Sequence, residues 1–122
     1  MNGRKARAAR AALRERNEQL LVRIRSAEPV RVRTDGDDEV WESGPATLVV
    51  PVVCHDYPTE LRDVLVSYRA AILTGVCPDC TIEEKVTEAG HLFTRHEAAC
   101  RADADQIAAL AERLGVEFNR GI

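Results

Sequence analysis

Two short half-sites, Cys77-Pro78-Asp79-Cys80 and His96-Glu97-Ala98-Ala99-Cys100, place four metal-ligand residues in the pattern C-x2-C-x15-H-x3-C. No other feature restricts the fold as strongly. A chain of 122 residues buries a modest core, so any staple across it counts heavily. Two thiolates separated by two residues, on a turn that proline stiffens, grip one ion. Thr94-Arg95-His96-Glu97 fits a capping box, with Thr at the N-cap and Glu at N3. A last helix is therefore expected from there to about Leu114, with Gly115 closing it, and His96 and Cys100 then project from one face. Together Cys77, Cys80, His96 and Cys100 form the soft, tetrahedral Cys3His set that suits zinc. All four positions are filled by protein, the structural rather than the catalytic arrangement.

Competing readings fit less well. A redox pair places its first cysteine at a helix N-terminus after a strand, whereas Cys77 follows an expected helix C-terminus. Free cysteines also serve as small buried apolar residues, but then the second half-site would not coincide with an independently expected helix start. His91 is an alternative third ligand, yet it lies before the expected cap and has no regular spacing to Cys100; His96 is preferred. Cys54 and His55 are also adjacent. Their ordinary reading is a buried strand end followed by a loop residue.

The pattern of the remaining chain indicates an α+β protein. Residues 4–26 are rich in Ala, Leu, Arg and Glu and free of Gly and Pro, with Ala9, Leu13, Leu20, Leu21 and Ile24 roughly on one side. Asn17 and Arg16 interrupt that stripe, so it is an imperfect coiled-coil seam. After Pro29 the period becomes two: Val30-Arg31-Val32-Arg33, a turn at Thr34–Asp38, a return strand from Val40-Trp41, a turn at Ser43-Gly44-Pro45, and the β-branched run 46–54. A three-stranded antiparallel meander follows, with Pro51 suited to an edge or bulge. Asp56-Tyr57-Pro58 opens a central helix carrying Leu61, Val64, Leu65, Tyr68 and Ile72, and Gly75 ends it. The division expected is a basic helical segment, 1–28, and a zinc-stabilised α+β domain, 29–122. The metal would join two helices that otherwise share little core.

Charge is distributed unevenly. Residues 1–33 carry ten basic and three acidic side chains (+7), and residues 34–122 carry seven basic and seventeen acidic (−10). Such a segment attracts nucleic acid, an acidic partner, or the acidic body of a neighbouring copy. Arginine outnumbers lysine 15 to 2 beside 17 alanines; GC-rich codons alone produce that bias, so arginine content by itself is no binding signal. No apolar run approaches the ~20 residues of a membrane span, and the N-terminus lacks the apolar stretch of a secretory signal. A cytoplasmic setting is expected. There is no Gly-rich phosphate loop and no H-E-x-x-H, and Asp37-Asp38 and Glu83-Glu84 are expected in solvated turns.

The segments CPDC and HEAAC resemble the zinc-finger segments of small proteins from high-GC bacteria and their phages. The resemblance covers residues 75–101 and implies Cys77, Cys80, His96 and Cys100 as ligands. It departs from DNA-reading C2H2 fingers in its longer central interval, its final Cys, and the acidic helix that follows, a poor reader of a DNA groove. Two functions stay open, both non-enzymatic. One is a protein-interaction or assembly subunit, within a phage particle included, with Leu13, Leu20 and Ile24 buried in the contact. The other is a nucleic-acid accessory protein in which Arg4, Lys5, Arg7, Arg10, Arg14, Arg23 and Arg25 meet phosphate, although no aromatic residues are interleaved for base stacking.

Overall fold

A computed structural model describes residues 3–117. Eight elements follow in the order α1 (Gly3–Ser26), β1 (Val30–Asp35), β2 (Asp38–Ser43), β3 (Ala46–Pro51), α2 (Thr59–Thr74), β4 (Glu83–Val86), β5 (Leu92–Arg95) and α3 (Ala104–Arg113). The α+β class, the basic N-terminal helix, the antiparallel meander β1-β2-β3 and the central and C-terminal helices are as expected from the sequence. No helix among the described residues is long and apolar enough to cross a membrane.

The meander turns its alternate residues inward. Ala46, Leu48 and Val50 of β3 pair with Ser43, Trp41 and Glu39 of β2 on one face, and that face meets Ile24 of α1, Ile72 of α2 and Leu92 of β5. β1 is exposed along its whole length and carries an irregularity between Arg31 and Arg33. Pro51 ends β3 opposite Asp38, where a missing donor does least harm. At the β2–β3 turn, Gly44 has φ +54°, and a Cβ there would stand 3.0 Å from the Arg23 carbonyl oxygen. Glycine thus lets the turn lie against the end of α1. Ser43 Oγ donates to the Ile24 carbonyl at 2.8 Å in the same buried corner.

Glu39 is the buried charge of this face, 8% exposed. Trp41 Nε1 donates to it at 3.0 Å, Arg69 of α2 pairs with it at 2.6 Å, and Arg31 reaches its other oxygen at 3.5 Å. Burial pushes its carboxyl up, but the hydrogen bonds from Trp41 and Arg69 and the charges of Arg69 and Arg31 together bring it below its ordinary value.

Three expectations are corrected. First, 94–97 opens no helix. Leu92–Arg95 is β5, paired antiparallel with β4 around a turn at Thr87–Gly90, and α3 begins at Ala104, where the Asp103 side chain accepts from the amides of Asp105 and Gln106. Asp103 satisfies orphan amides as Thr94 was expected to; Thr94 instead faces inward with no partner for its buried hydroxyl. Second, Glu83-Glu84 is strand, and Glu84 is no solvated charge: Arg25 holds it at 2.6 Å. Third, α2 and α3 do share a core, formed by Leu61, Val64, Leu65, Ile107 and Ala111. Tyr68 touches this cluster, the sheet cluster and a third cluster of Ala71, Cys77, Cys100 and Ala102.

The last turns of α1 belong to the body. Ile24 is fully buried within the chain, so it is a core residue here rather than part of a free seam. Asn17 holds β4 with both side-chain atoms, its Nδ2 donating to the Glu84 carbonyl at 3.1 Å and its Oδ1 accepting from the Val86 amide at 2.9 Å. The side chain that interrupts the apolar stripe therefore completes a strand edge.

Candidate metal centre

The first half-site is positioned by the end of α2. Gly75, at φ +82°, returns its amide to the Ala71 carbonyl and turns the chain out of the helix. A Cβ on Gly75 would sit 2.7 Å from Arg25 Nε and 2.9 Å from Glu84 Oε1, so the Arg25–Glu84 pair occupies the space a side chain would need. Cys77 then lies buried and Cys80 half-buried on the turn through Pro78.

His96 and Cys100 emerge after β5 on irregular backbone. The Cys100 amide donates to the Glu97 carbonyl and the Asp103 amide to the Cys100 carbonyl, both at 2.9 Å, so two successive turns carry the chain from the second half-site into α3. The ligands expected from helical spacing converge without a helix. A turn closed over three residues brings i and i+4 side chains together as one helical turn does.

The four donor atoms lie within 4.8 Å of one another. Cys77 Sγ and Cys100 Sγ are 3.8 Å apart, Cys80 Sγ and His96 Nδ1 3.4 Å, and Cys100 Sγ and His96 Nδ1 3.8 Å. An ion held tetrahedrally by ~2.3 Å bonds to sulfur and ~2.0 Å bonds to nitrogen spaces its sulfurs about 3.8 Å apart and sulfur from nitrogen about 3.5 Å. The donor set fits a metal ion. A disulfide between Cys77 and Cys100 would need its sulfurs at about 2.05 Å, and all four cysteines are free.

The electrostatics lead to the same assignment. Burial, offset in part by the Ala102 amide 3.4 Å from Sγ and reinforced by the neighbouring Cys80 and Cys77, pushes the Cys100 thiol up to about 11. Three adjacent thiols cannot ionise together without a cation among them. Burial lowers the pKa of His96, against an opposing pull from Asp103, and so favours the neutral ring that coordinates. Tyr68 stacks on that ring with centroids 5.7 Å apart and planes 21° apart. His96 Nδ1 faces the sulfurs, while Nε2 is buried with no partner. Across the outside of the site, Arg101 Nε meets Asp79 Oδ2 at 2.9 Å and ties one half-site to the other.

His91 is exposed and stands outside the cluster. Cys54 and His55 lie beyond the end of β3, Cys54 half-buried and His55 exposed. Of the basic residues, Arg4, Lys5, Arg7, Arg10, Arg14 and Arg23 are exposed on α1. Arg25 is apart from them, half-buried, pairing with Glu84 and donating to the Ile72 carbonyl at 3.0 Å. The sequence assigns Tyr68 only to the apolar face of the central helix, not to the metal site, and it gives no sign of the Ala102 amide. Tyr68 had a signal, being on the apolar face of α2 three residues before Ala71; an amide-to-sulfur bond has none.

No known protein family, curated protein or solved structure matches this chain.

Proposed function

We propose that the protein is a non-catalytic zinc-binding subunit that joins a larger assembly through α1. The observation that carries this reading is the exposed N-terminal half of the helix. Between Gly3 and Arg16 every residue except Ala6 is exposed. The stripe Ala6, Ala9, Leu13 continues the line of Leu20 and Ile24 beyond the body, and Leu13 is 63% exposed. Beside it a groove of about 400 Å³ is lined by Arg10, Leu13, Arg14, Arg16, Asn17, Leu20, Lys85 and Val86. An apolar floor with a cationic rim suits an acidic amphipathic segment of a protein partner. The Cys3His set leaves no ligand position for water, which supports zinc as the metal, a structural role for it, and a protein that is not an enzyme. The likeness of the half-sites to zinc segments of small bacterial and phage proteins fits a cytoplasmic or phage-particle setting.

The second reading, nucleic-acid binding, is favoured by one feature: Arg7, Arg10 and Arg14 form an exposed row at i, i+3 and i+7, with Arg4 next to it. Light scattering on the full-length, zinc-loaded protein, alone and with duplex DNA in a salt series, separates the two. A defined oligomer that survives moderate salt, ignores DNA and dissociates in Leu13→Glu supports assembly. A monomer that joins DNA with a steep salt dependence, lost when Arg7, Arg10 and Arg14 become alanine, overturns it in favour of nucleic acid. A monomer inert in both respects overturns self-assembly and leaves a different acidic protein as the partner.

A further inference from the structure

At the other end of α2 from the Cys3His cluster, a second group of ligand-type side chains comes together. Cys54, His55 and Asp56 follow β3 on a turn closed by the Tyr57 amide donating to the Cys54 carbonyl at 3.1 Å. Their sulfur, imidazole nitrogen and carboxylate oxygen all lie within 4.8 Å of one another, and His55 Nε2 stands 3.3 Å from Asp56 Oδ1. This group precedes the first residue of α2, Thr59, whereas the Cys3His cluster packs against Tyr68 and Ala71 in the C-terminal half of that helix, so about 14 Å of helix or more lies between them. The two sets are independent.

We propose that this turn is a second, exchangeable site for a borderline divalent transition-metal ion such as zinc. A surface His–Asp contact is ordinary; the thiol beside it makes the set a metal ligand group of sulfur, nitrogen and oxygen, the mixture that zinc and its neighbours accept. A thiolate and a carboxylate together balance the charge of a 2+ ion. The 3.3 Å between His55 Nε2 and Asp56 Oδ1 is the N–O edge of a tetrahedron with bonds of ~2.0 Å, and the two side chains are 90% and 81% exposed, so nothing opposes their adjusting around an ion. The backbone is already turned, and Pro58 narrows the choices of the residue before it, so little chain entropy is lost on closure. Nearby, the Val52 amide donates to the Asp37 carbonyl at 2.9 Å, which holds the acidic β1–β2 turn close to the start of this segment and adds negative potential.

The contrast with the first set defines the behaviour. Cys77, Cys80, His96 and Cys100 offer four donors in the protein interior; this turn offers three at the surface, leaving at least one coordination position to water or to an outside ligand. The second ion therefore binds more weakly, exchanges with mild chelators, and does not hold the fold.

Zinc is counted per chain in the full-length, reduced protein after dialysis against a series of free-zinc buffers. Cobalt(II) added to the zinc-loaded protein supplies a thiolate-to-metal absorption band as a second readout. The wild type takes up a second ion at the higher zinc levels and shows the cobalt band. Cys54→Ala and His55→Ala keep one ion and lose the band, with thermal unfolding unchanged; His55 is so exposed that its variant reports even if the cysteine variant misfolds. One ion at every zinc level in the wild type, or a second ion that persists in both variants, overturns the proposal.

Discussion

Removing the metal from the Cys3His cluster should loosen one side of the molecule and leave the other standing. Cys77 and Cys100 are 23 positions apart, and cross-linking a loop of that length removes about 3 kcal/mol of denatured-state entropy. This is a lower bound, since metal in small zinc peptides is worth roughly 10–16 kcal/mol. For a domain of this size 3 kcal/mol corresponds to a fall in Tm of ~10–20 °C. The loss is not total, because Ile24, Leu48, Val50, Leu61, Leu65 and Ile107 are buried in two clusters that contain none of the four ligands. Circular dichroism with and without a strong chelator gives the Tm, and hydrogen exchange locates the change. Amides between Cys77 and Asp103, β4 and β5 among them, lose protection first, while those of β2, β3 and α2 keep most of theirs. Cys100→Ser should reproduce the effect without chelator. A chain verified to be metal-free that melts at the original temperature, with protection unchanged between residues 77 and 103, would refute both the cluster and the argument from loop closure.

Arg69→Met should cost about 2–3 kcal/mol in urea unfolding, somewhat below the 3–5 kcal/mol of breaking a fully buried pair, because the Arg69 side chain keeps 24% exposure while Glu39 stays buried behind it; a change within error would show that Arg31 and Trp41 suffice. Glu39 is held below its ordinary 4.5, so its contribution is present above that pH and lost as the pH falls through its lowered folded value. Glu39→Gln should accordingly flatten the acid limb of stability against pH by one proton, and an unaltered slope would remove Glu39 from the account. Gly75→Ala should destabilise by ~1–2 kcal/mol and disrupt the Arg25–Glu84 pair; if so, adding Glu84→Ala to Gly75→Ala costs less than Glu84→Ala alone, whereas simple additivity would show that the added Cβ leaves the pair intact.

The parts legible in the sequence were those with a period or a punctuating residue. The helix 4–26 was read from composition and Pro29, the meander from alternation and its two glycine turns, and α2 from the spacing of Leu61, Val64, Leu65, Tyr68 and Ile72 up to Gly75. The four candidate ligands were read from their spacing, and their donor atoms come together as a group that could hold a metal, although the helix used to justify His96 and Cys100 does not exist. Thr94 and Glu97 match a capping box that pairing with β4 overrides: Thr94 faces Glu84 across the hairpin, and Asp103 takes over the cap. The hairpin itself was illegible because β4 reads Glu-Glu-Lys-Val, with charges where a strand former is expected. Its stability comes from outside, through Asn17 on the β4 edge, Arg25 on Glu84, and the Thr47 amide, which donates to the Gly90 carbonyl at 2.8 Å. Such long-range support leaves no local pattern.

Those same contacts divide α1 and explain how a charged helix can extend into solvent. From Asn17 onward the helix is anchored, by Asn17 and Arg25 to β4 and by Ile24 in the core. The stretch from Gly3 to Arg16 is at the ~12–15-residue limit below which an isolated helix is marginal. It does not need to nucleate. The anchored turns supply the nucleus, and each Ala or Arg added toward the N-terminus propagates an existing helix at little cost. A partner of the kind proposed would therefore meet a helix already formed, with its apolar stripe and its arginines in fixed register, and ordering the segment would subtract little from the affinity. Salt can then weaken the encounter through the exposed charges while leaving Arg25 and Glu84, which are half-buried and paired, much less affected.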